Sequence, residues 1–257
     1  MSRDPGSIGQ DMVLTPGGYR HCSKVTRLGK DTPAELIMHQ PPPAAPPHED
    51  PHPAARPGQG WVAYTEWMND KTDSIQLFTA DWIVPPEPAD KAGQTIFLFT
   101  GLQNTRFILQ PVLQWGPSFA GGGAFWSIAN WYTDGTKDHT FCSGALPVVP
   151  GQRLTTKIER TGQVDRSFRY RSSFEGFPDL DIEREDVIEL LWAFVVLESY
   201  NVQTVKNYPD APMVRVVSPK IARAAPAEPD WLTRPKPDIA GKPRAELKEG
   251  GIDLVFG

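Results

Sequence analysis

The feature that most limits what this chain can fold into is a series of short apolar segments between about Trp61 and Val217, each closed by glycine or proline. "SIQLFTADWIV" ends at Pro85-Pro86, "QTIFLFTGLQ" starts after "PADKAG", "FILQPVLQW" ends at Gly116, and "AFWSIANWY" follows three glycines. "SGALPVV" breaks at Pro150-Gly151, "RLTTKIER" stops at Thr161-Gly162, "SFRYRSSF" stops before Gly176, "LLWAFVVLESY" precedes Asn201, and "MVRVVS" comes last. Segments of this length, rich in β-branched and aromatic residues and separated by turn formers, are strands, and no fixed-period repeat accompanies them. The fold class expected is all-β: an antiparallel two-sheet jelly-roll (concanavalin-like) sandwich with irregular N- and C-terminal extensions.

The flanks read differently. "HQPPPAAPPHEDPHPAARPGQG" has almost no large apolar side chains and favours extended polyproline structure or disorder. The expected division is an N-terminal arm at 1–38, a Pro-rich linker at 39–60, the β-sandwich at 61–221, and a Pro-rich extension at 222–257 whose Trp231 and terminal "IDLVF" dock on the domain. His48 and His52 stand four apart, but Pro47, Pro51 and Pro53 forbid the helix that would bring both imidazoles to a metal, so none is expected. A net charge of −5, with Lys and Arg scattered, leaves no basic footprint for nucleic acid. The first residues contain no apolar signal-peptide core, and nowhere do eighteen apolar residues run together, so no membrane partner is expected. Two cysteines, Cys22 and Cys142, are too few for a disulfide framework, and their spacing leaves pairing open.

Within the strands, "ILQPVLQWGPSFAGGGAFWSIANWY" places Gln110 and Gln114 among apolar and aromatic residues. A buried primary amide without partners costs roughly 1–3 kcal/mol, so such residues are either satisfied or held for use. Residues two apart share a strand face. Gln110 and Gln114 therefore oppose Leu109, Leu113 and Trp115, provided Pro111 inserts no bulge. Trp126, Ile128, Asn130 and Tyr132 share a face, and Glu198 shares one with Trp192, Phe194, Val196 and Tyr200. Three strands each offer a polar group on an aromatic-rich face, and the expectation is that Gln114, Asn130 and Glu198 meet in one concavity.

The order "G-L-Q", "V-L-Q-W-G", "W-S-I-A-N-W-Y-T-D", "V-V-P-G-Q-R-L-T-T-K-I" and "W-A-F-V-V-L-E-S-Y", spanning roughly Trp82 to Glu198, resembles the glutamic peptidases, the eqolisin family of acid proteases with a double-sheet jelly roll. That family carries a catalytic Gln in an "I-L-Q-x-G" strand and a catalytic Glu in a late "W-I-V-E" strand. The resemblance implies Gln114 and Glu198 as the dyad, with Gln103, Trp126, Asn130 and Trp192 binding substrate. It implies no cofactor, a monomer, and secretion. Two positions depart: Gln103 stands where the family's "G-I-D-G" has an acid, and Asn130 where its "W-Y-E-W-Y-P-D" has one. In the implied chemistry Glu198 takes a proton from water and returns it to the leaving amine, while Gln114 holds the water and donates to the oxyanion. Trp126 and Trp192 would form apolar walls around Glu198.

Two further functions fit the residues. Asp179, Asp181, Glu183 and Glu185 in "PDLDIEREDVIE" alternate onto one face if extended, resembling superficially the paired acids of jelly-roll glycoside hydrolases, although the segment also fits a turn or short helix. The third reading is a non-catalytic jelly-roll module that stacks tryptophans on a carbohydrate or peptide ligand.

Overall fold

The computed structural model describes residues 14–15, 19–21, 60–71, 73–224, 226–235 and 242–257. Its strands are β1 (Leu14–Thr15), β2 (Tyr19–His21), β3 (Trp61–Met68), β4 (Leu77–Ile83), β5 (Thr95–Gln103), β6 (Ile108–Ser118), β7 (Gly121–Thr133), β8 (Phe141–Cys142) and β9 (Leu146–Pro147). They continue with β10 (Arg153–Val164), β11 (Ser167–Phe174), β12 (Ile182–Val187), β13 (Trp192–Tyr200), β14 (Met213–Ala222), β15 (Pro226–Ala227), β16 (Leu232–Pro235), β17 (Arg244–Lys248) and β18 (Gly251–Val255). The helical pieces among the described residues are three-residue 3-10 turns, Lys137–His139, Pro178–Leu180 and Val205–Asn207. No described helix is long and apolar enough to cross a membrane.

The strands form two antiparallel sheets, as the sequence pattern predicts. The first runs β1-β2-β8-β7-β6-β5-β13-β3-β16, with β9 beside β7; the second runs β12-β11-β10-β4-β14-β18-β17, with β15 beside β14. In the second sheet, alternation does what a half-solvated sheet requires: Leu154, Thr156 and Ile158 of β10 are buried, while Arg153 is exposed and its neighbours Thr155 and Lys157 are half-buried. The first sheet is apolar on both faces. Leu109, Leu113, Trp115, Trp126, Ile128 and Tyr132 pack into the core between the sheets. Trp61, Phe97, Phe99, Val112, Trp131 and Phe194 form a second buried cluster on its other face.

Several expectations are refined by geometry. Pro111 inserts no bulge: Phe99 pairs with Val112 and Leu102 with Leu109, and the ladder merely skips the level where proline lacks an N–H. The strand does not stop at Gly116 but bends there, at a bulge where that glycine takes φ 91°. "SGALPVV" supplies only the two residues of β9, and the acidic segment divides into the Pro178–Leu180 turn and β12.

The sheets also extend past residue 221. Strands β16 to β18 join both of them, Trp231 lies 6.0 Å from the Phe78 ring, and Ile252, Leu254 and Phe256 enter the core. The expected arm contributes β1 and β2, the latter pairing with β8. The Pro-rich segment lies outside the described residues up to Gly60. Cys142 is disulfide-bonded; the other cysteine, Cys22, is outside the described residues.

Candidate active site

Register places Gln114 and Glu198 together on one face. Gln114 pairs with Ser127 of β7 on one side and with Phe97 of β5 on the other, and Phe97 pairs with Glu198 of β13. Residues directly opposite in antiparallel strands point the same way, so Ser127, Gln114, Phe97 and Glu198 form one cross-strand row. Two strand spacings of about 4.8 Å put the Gln114 and Glu198 backbones about 10 Å apart, with the Phe97 ring between them. Both polar side chains are fully buried.

The local structure around each is specific. Gln114 Nε2 donates to Gly121 O at 2.9 Å and to Gly116 O at 3.3 Å, and Gln114 Oε1 accepts from Ser118 Oγ at 3.0 Å. Ser118 Oγ also lies 3.1 Å from Gly121 O. The carboxamide therefore ties together the turn between β6 and β7, and a side chain at position 122 would collide with it: a Cβ there would sit 2.5 Å from Gln114 Nε2, on a backbone at φ 100°. The question raised by a glutamine in an apolar strand has a direct answer in this arrangement. Its amide is satisfied by the hairpin it precedes.

Glu198 sits where β13 passes a bulge in its pairing with β3, opposite Trp61. Its Oε1 accepts from Tyr200 Oη at 2.5 Å. Burial, the nearby Glu198 charge and that hydrogen bond together push the Tyr200 hydroxyl's ionisation far above its ordinary range, so the phenol stays a donor. The walls are Phe97, which meets Tyr200 and Trp131 edge-on at 6.4 and 6.1 Å, and Trp61, which meets Phe194 at 5.0 Å.

The other expected site residues lie elsewhere. Trp192 pairs directly with Gln103 on the same face, but six residues along β13 from Glu198, about 20 Å at 3.3 Å per residue. Trp126 and Asn130 are on the opposite face, toward the second sheet. Trp126 packs edge-on against Trp115 at 5.6 Å and donates Nε1 to Pro86 O. Asn130 Nδ2 donates to Leu180 O at 2.8 Å, and its Oδ1 accepts from Ser172 Oγ at 2.6 Å, so it stitches the two sheets together. The expectation that Asn130 meets Gln114 and Glu198 in one concavity does not hold, and neither does that of a Trp126 wall.

Residues that strand parity would have reached, but that were not singled out, are Trp61, Phe97 and Trp131. Gln110 also lies on the face of Gln114 and completes a literal "I-L-Q" with Ile108 and Leu109. It lies four residues along β6 from Gln114, two same-face rows away, so of the two glutamines only Gln114 shares the glutamate's row. Ser118 and Gly121 carried no sequence signal beyond belonging to a turn.

In the acidic series Glu183 and Glu185 converge on one arginine, Arg169, at 3.6 and 2.8 Å. Asp179 is in the 3-10 turn, while Glu183 meets Arg171 at 3.1 Å and Glu185 meets Arg169 at 2.8 Å in ion pairs of the second sheet. No cluster of metal-ligating side chains occurs among the described residues.

The chain matches no protein-family model and no curated protein. Among solved structures it is similar to scytalido-glutamic peptidase, in a complex with a peptide-based transition-state analogue (TM-score 0.52, 10% identity) and in one with a transition-state-analogue inhibitor (TM-score 0.52, 9% identity). Each comparison covers 77% of this chain and 99% of the peptidase. Identity this low speaks to the fold: the chain has a glutamic-peptidase-like jelly roll.

Proposed function

We propose that the protein is a glutamic-type hydrolase acting on peptide bonds, with Glu198 as general base and acid and Gln114 as the oxyanion donor. The observation that supports this reading is their shared row on a buried aromatic face of a peptidase-like sheet. A carbonyl and a water over the Phe97 ring would lie between them. Water oxygen attacks the carbonyl carbon as its proton passes to Glu198, and the oxyanion receives an N–H of Gln114. The C–N bond then breaks, with the proton moving from Glu198 to the amine. Of the two Gln114 N–H groups, the one on Gly116 O, at 3.3 Å, is the easier to redirect. An apolar floor lowers the local dielectric and strengthens both interactions. Both side chains are fully buried in the state described, so substrate reaches them only when the surface above opens.

A second reading, a peptide- or carbohydrate-binding module without hydrolysis, is favoured by one observation: every polar atom of the Gln114 carboxamide already has a partner in its own hairpin. Incubation with a mixed peptide library between about pH 2 and pH 7, a range spanning carboxylate titration, separates the two by intact mass. Cleavage that disappears in Glu198→Gln supports hydrolysis. Peptide retention with no product at any pH supports the binding module.

A further inference from the structure

The contact that the proposed chemistry does not use is the one between Tyr200 and Glu198. They stand two apart on β13, so both side chains leave the same face, and the phenol reaches back to Oε1 at 2.5 Å, the range of an O–H donor on an ionised acceptor. The ring is fixed from two sides. Phe97 meets it edge-on, and behind it lies Gly60, where an added Cβ would come within 2.4 Å of Tyr200 Cζ and 2.5 Å of its hydroxyl oxygen. Gly60 is held there because Ser199 N, between the two side chains in sequence, donates to Gly60 O at 2.9 Å. The β13–β3 bulge at Leu197/Glu198 brings this backbone under the ring.

We propose that Tyr200 is the positioning residue of Glu198: its hydroxyl holds Oε1 and stabilises the ionised carboxylate, with Gly60 providing the space the ring occupies. This rests on the hydrolase reading for its role in turnover, but not for its effect on the carboxylate. On the same face β3 carries the titratable Tyr64 and Glu66, with Glu66 paired to Arg234 of β16 at 2.9 Å. A phenol donating to a buried carboxylate favours its charged form, opposing the burial that disfavours it.

The test is infrared spectroscopy of the full chain, in which the protonated-carboxyl band of Glu198 is assigned by subtracting the Glu198→Gln spectrum and followed with pH. Removing a hydrogen bond to a charged group should raise the protonation midpoint by about one to two pH units in Tyr200→Phe. Gly60→Ala, which keeps the phenol but displaces the ring, should shift it in the same direction and keeps the test available if the first variant folds poorly. A midpoint unmoved or lowered in both variants overturns the proposal. If the wild type cleaves peptides, the acid limb of kcat/KM moves up with the same midpoint. A raised midpoint in a protein that cleaves nothing supports the positioning role and counts against the hydrolase reading alone.

Discussion

Gln114→Ala tests what the glutamine is for. In the structure its removal forfeits two well-formed hydrogen bonds, to Gly121 O at 2.9 Å and from Ser118 Oγ at 3.0 Å, and a longer one to Gly116 O at 3.3 Å. At about 1 kcal/mol for each of the two well-formed bonds, and about 0.8 kcal/mol for the one buried methylene lost, the destabilisation should be about 3 kcal/mol. In a chain of this size that lowers Tm by about 6–12 °C. Urea unfolding followed by tryptophan fluorescence measures it. Ser118→Ala removes the bond to Oε1, the contact to Gly121 O and the bond accepted from Ala120 N at 3.1 Å, so it should cost a comparable amount, and the double variant should cost less than the sum because the two side chains share partners. A Gln114→Ala penalty below about 1 kcal/mol would refute the hairpin-tie argument, since it would mean that these buried bonds carry no more than one average bond is worth. The hydrolase reading adds a separate demand on the same variant: turnover should fall on the order of 10²–10³, the usual worth of one oxyanion donor, after correction for any unfolded fraction.

Asp81 accepts from Thr155 Oγ1 at 2.6 Å and from Arg153 Nη2 at 2.7 Å, and these contacts hold its carboxyl below the ordinary carboxylate range. Its contribution is therefore present above the unfolded value and lost as pH falls through the lower folded one, so Asp81→Asn should flatten the decline of stability in acid below about pH 4. Asp181 shifts the opposite way: burial pushes its carboxyl up, against the Arg171 charge. A raised folded value means the native state binds the proton more tightly, so stability falls as pH rises, and Asp181→Asn should be neutral or stabilising at pH 7 by thermal melt. Asn130→Asp puts a carboxyl at a fully buried position where Nδ2 now donates to Leu180 O, a bond only a protonated acid could replace. Its stability relative to wild type should fall as pH rises above about 4, by up to about 1.4 kcal/mol per pH unit until the raised folded value is reached, and a pH-independent difference would refute this.

What could be read from the sequence was the strand series and its parity. "SFRYRSSF" is β11 to the residue, and the shared face of Gln110 with Gln114 and that of Glu198 with Tyr200 hold. Parity sorts residues into two sets, but it does not say which set faces the second sheet. Where one face is polar, as in β10, the choice is obvious. In the first sheet both faces are aromatic, so Trp126 and Asn130 looked as available to a cleft as Gln114 did. The strands after residue 222 were illegible for another reason: Pro and charge dominate the stretch, and the five-residue β17 and β18 are ordered by pairing with each other and with β14, a long-range contact no local pattern announces.

The register also reassigns the meaning of the two missing acids. Read from the sequence, Gln103 and Asn130 both subtract negative charge from a cleft, and together they weaken the case for acid catalysis. In the structure Asn130 lies across the sheet from Glu198, and its amide supplies both a donor to Leu180 O and an acceptor for Ser172, a pairing an ionised acid cannot make. An asparagine there follows from the packing of two sheets and is silent on chemistry. Gln103 does share the face of Glu198, but about 20 Å along it, where charge acts weakly through a protein interior and still less through water. Within its own row and strand Glu198 has Phe97 beside it and Trp61 opposite, and Tyr200 donates one hydrogen bond to it. Whether that carboxylate works as a base thus turns on Tyr200 and on the hairpin that occupies Gln114, both of which single substitutions can release.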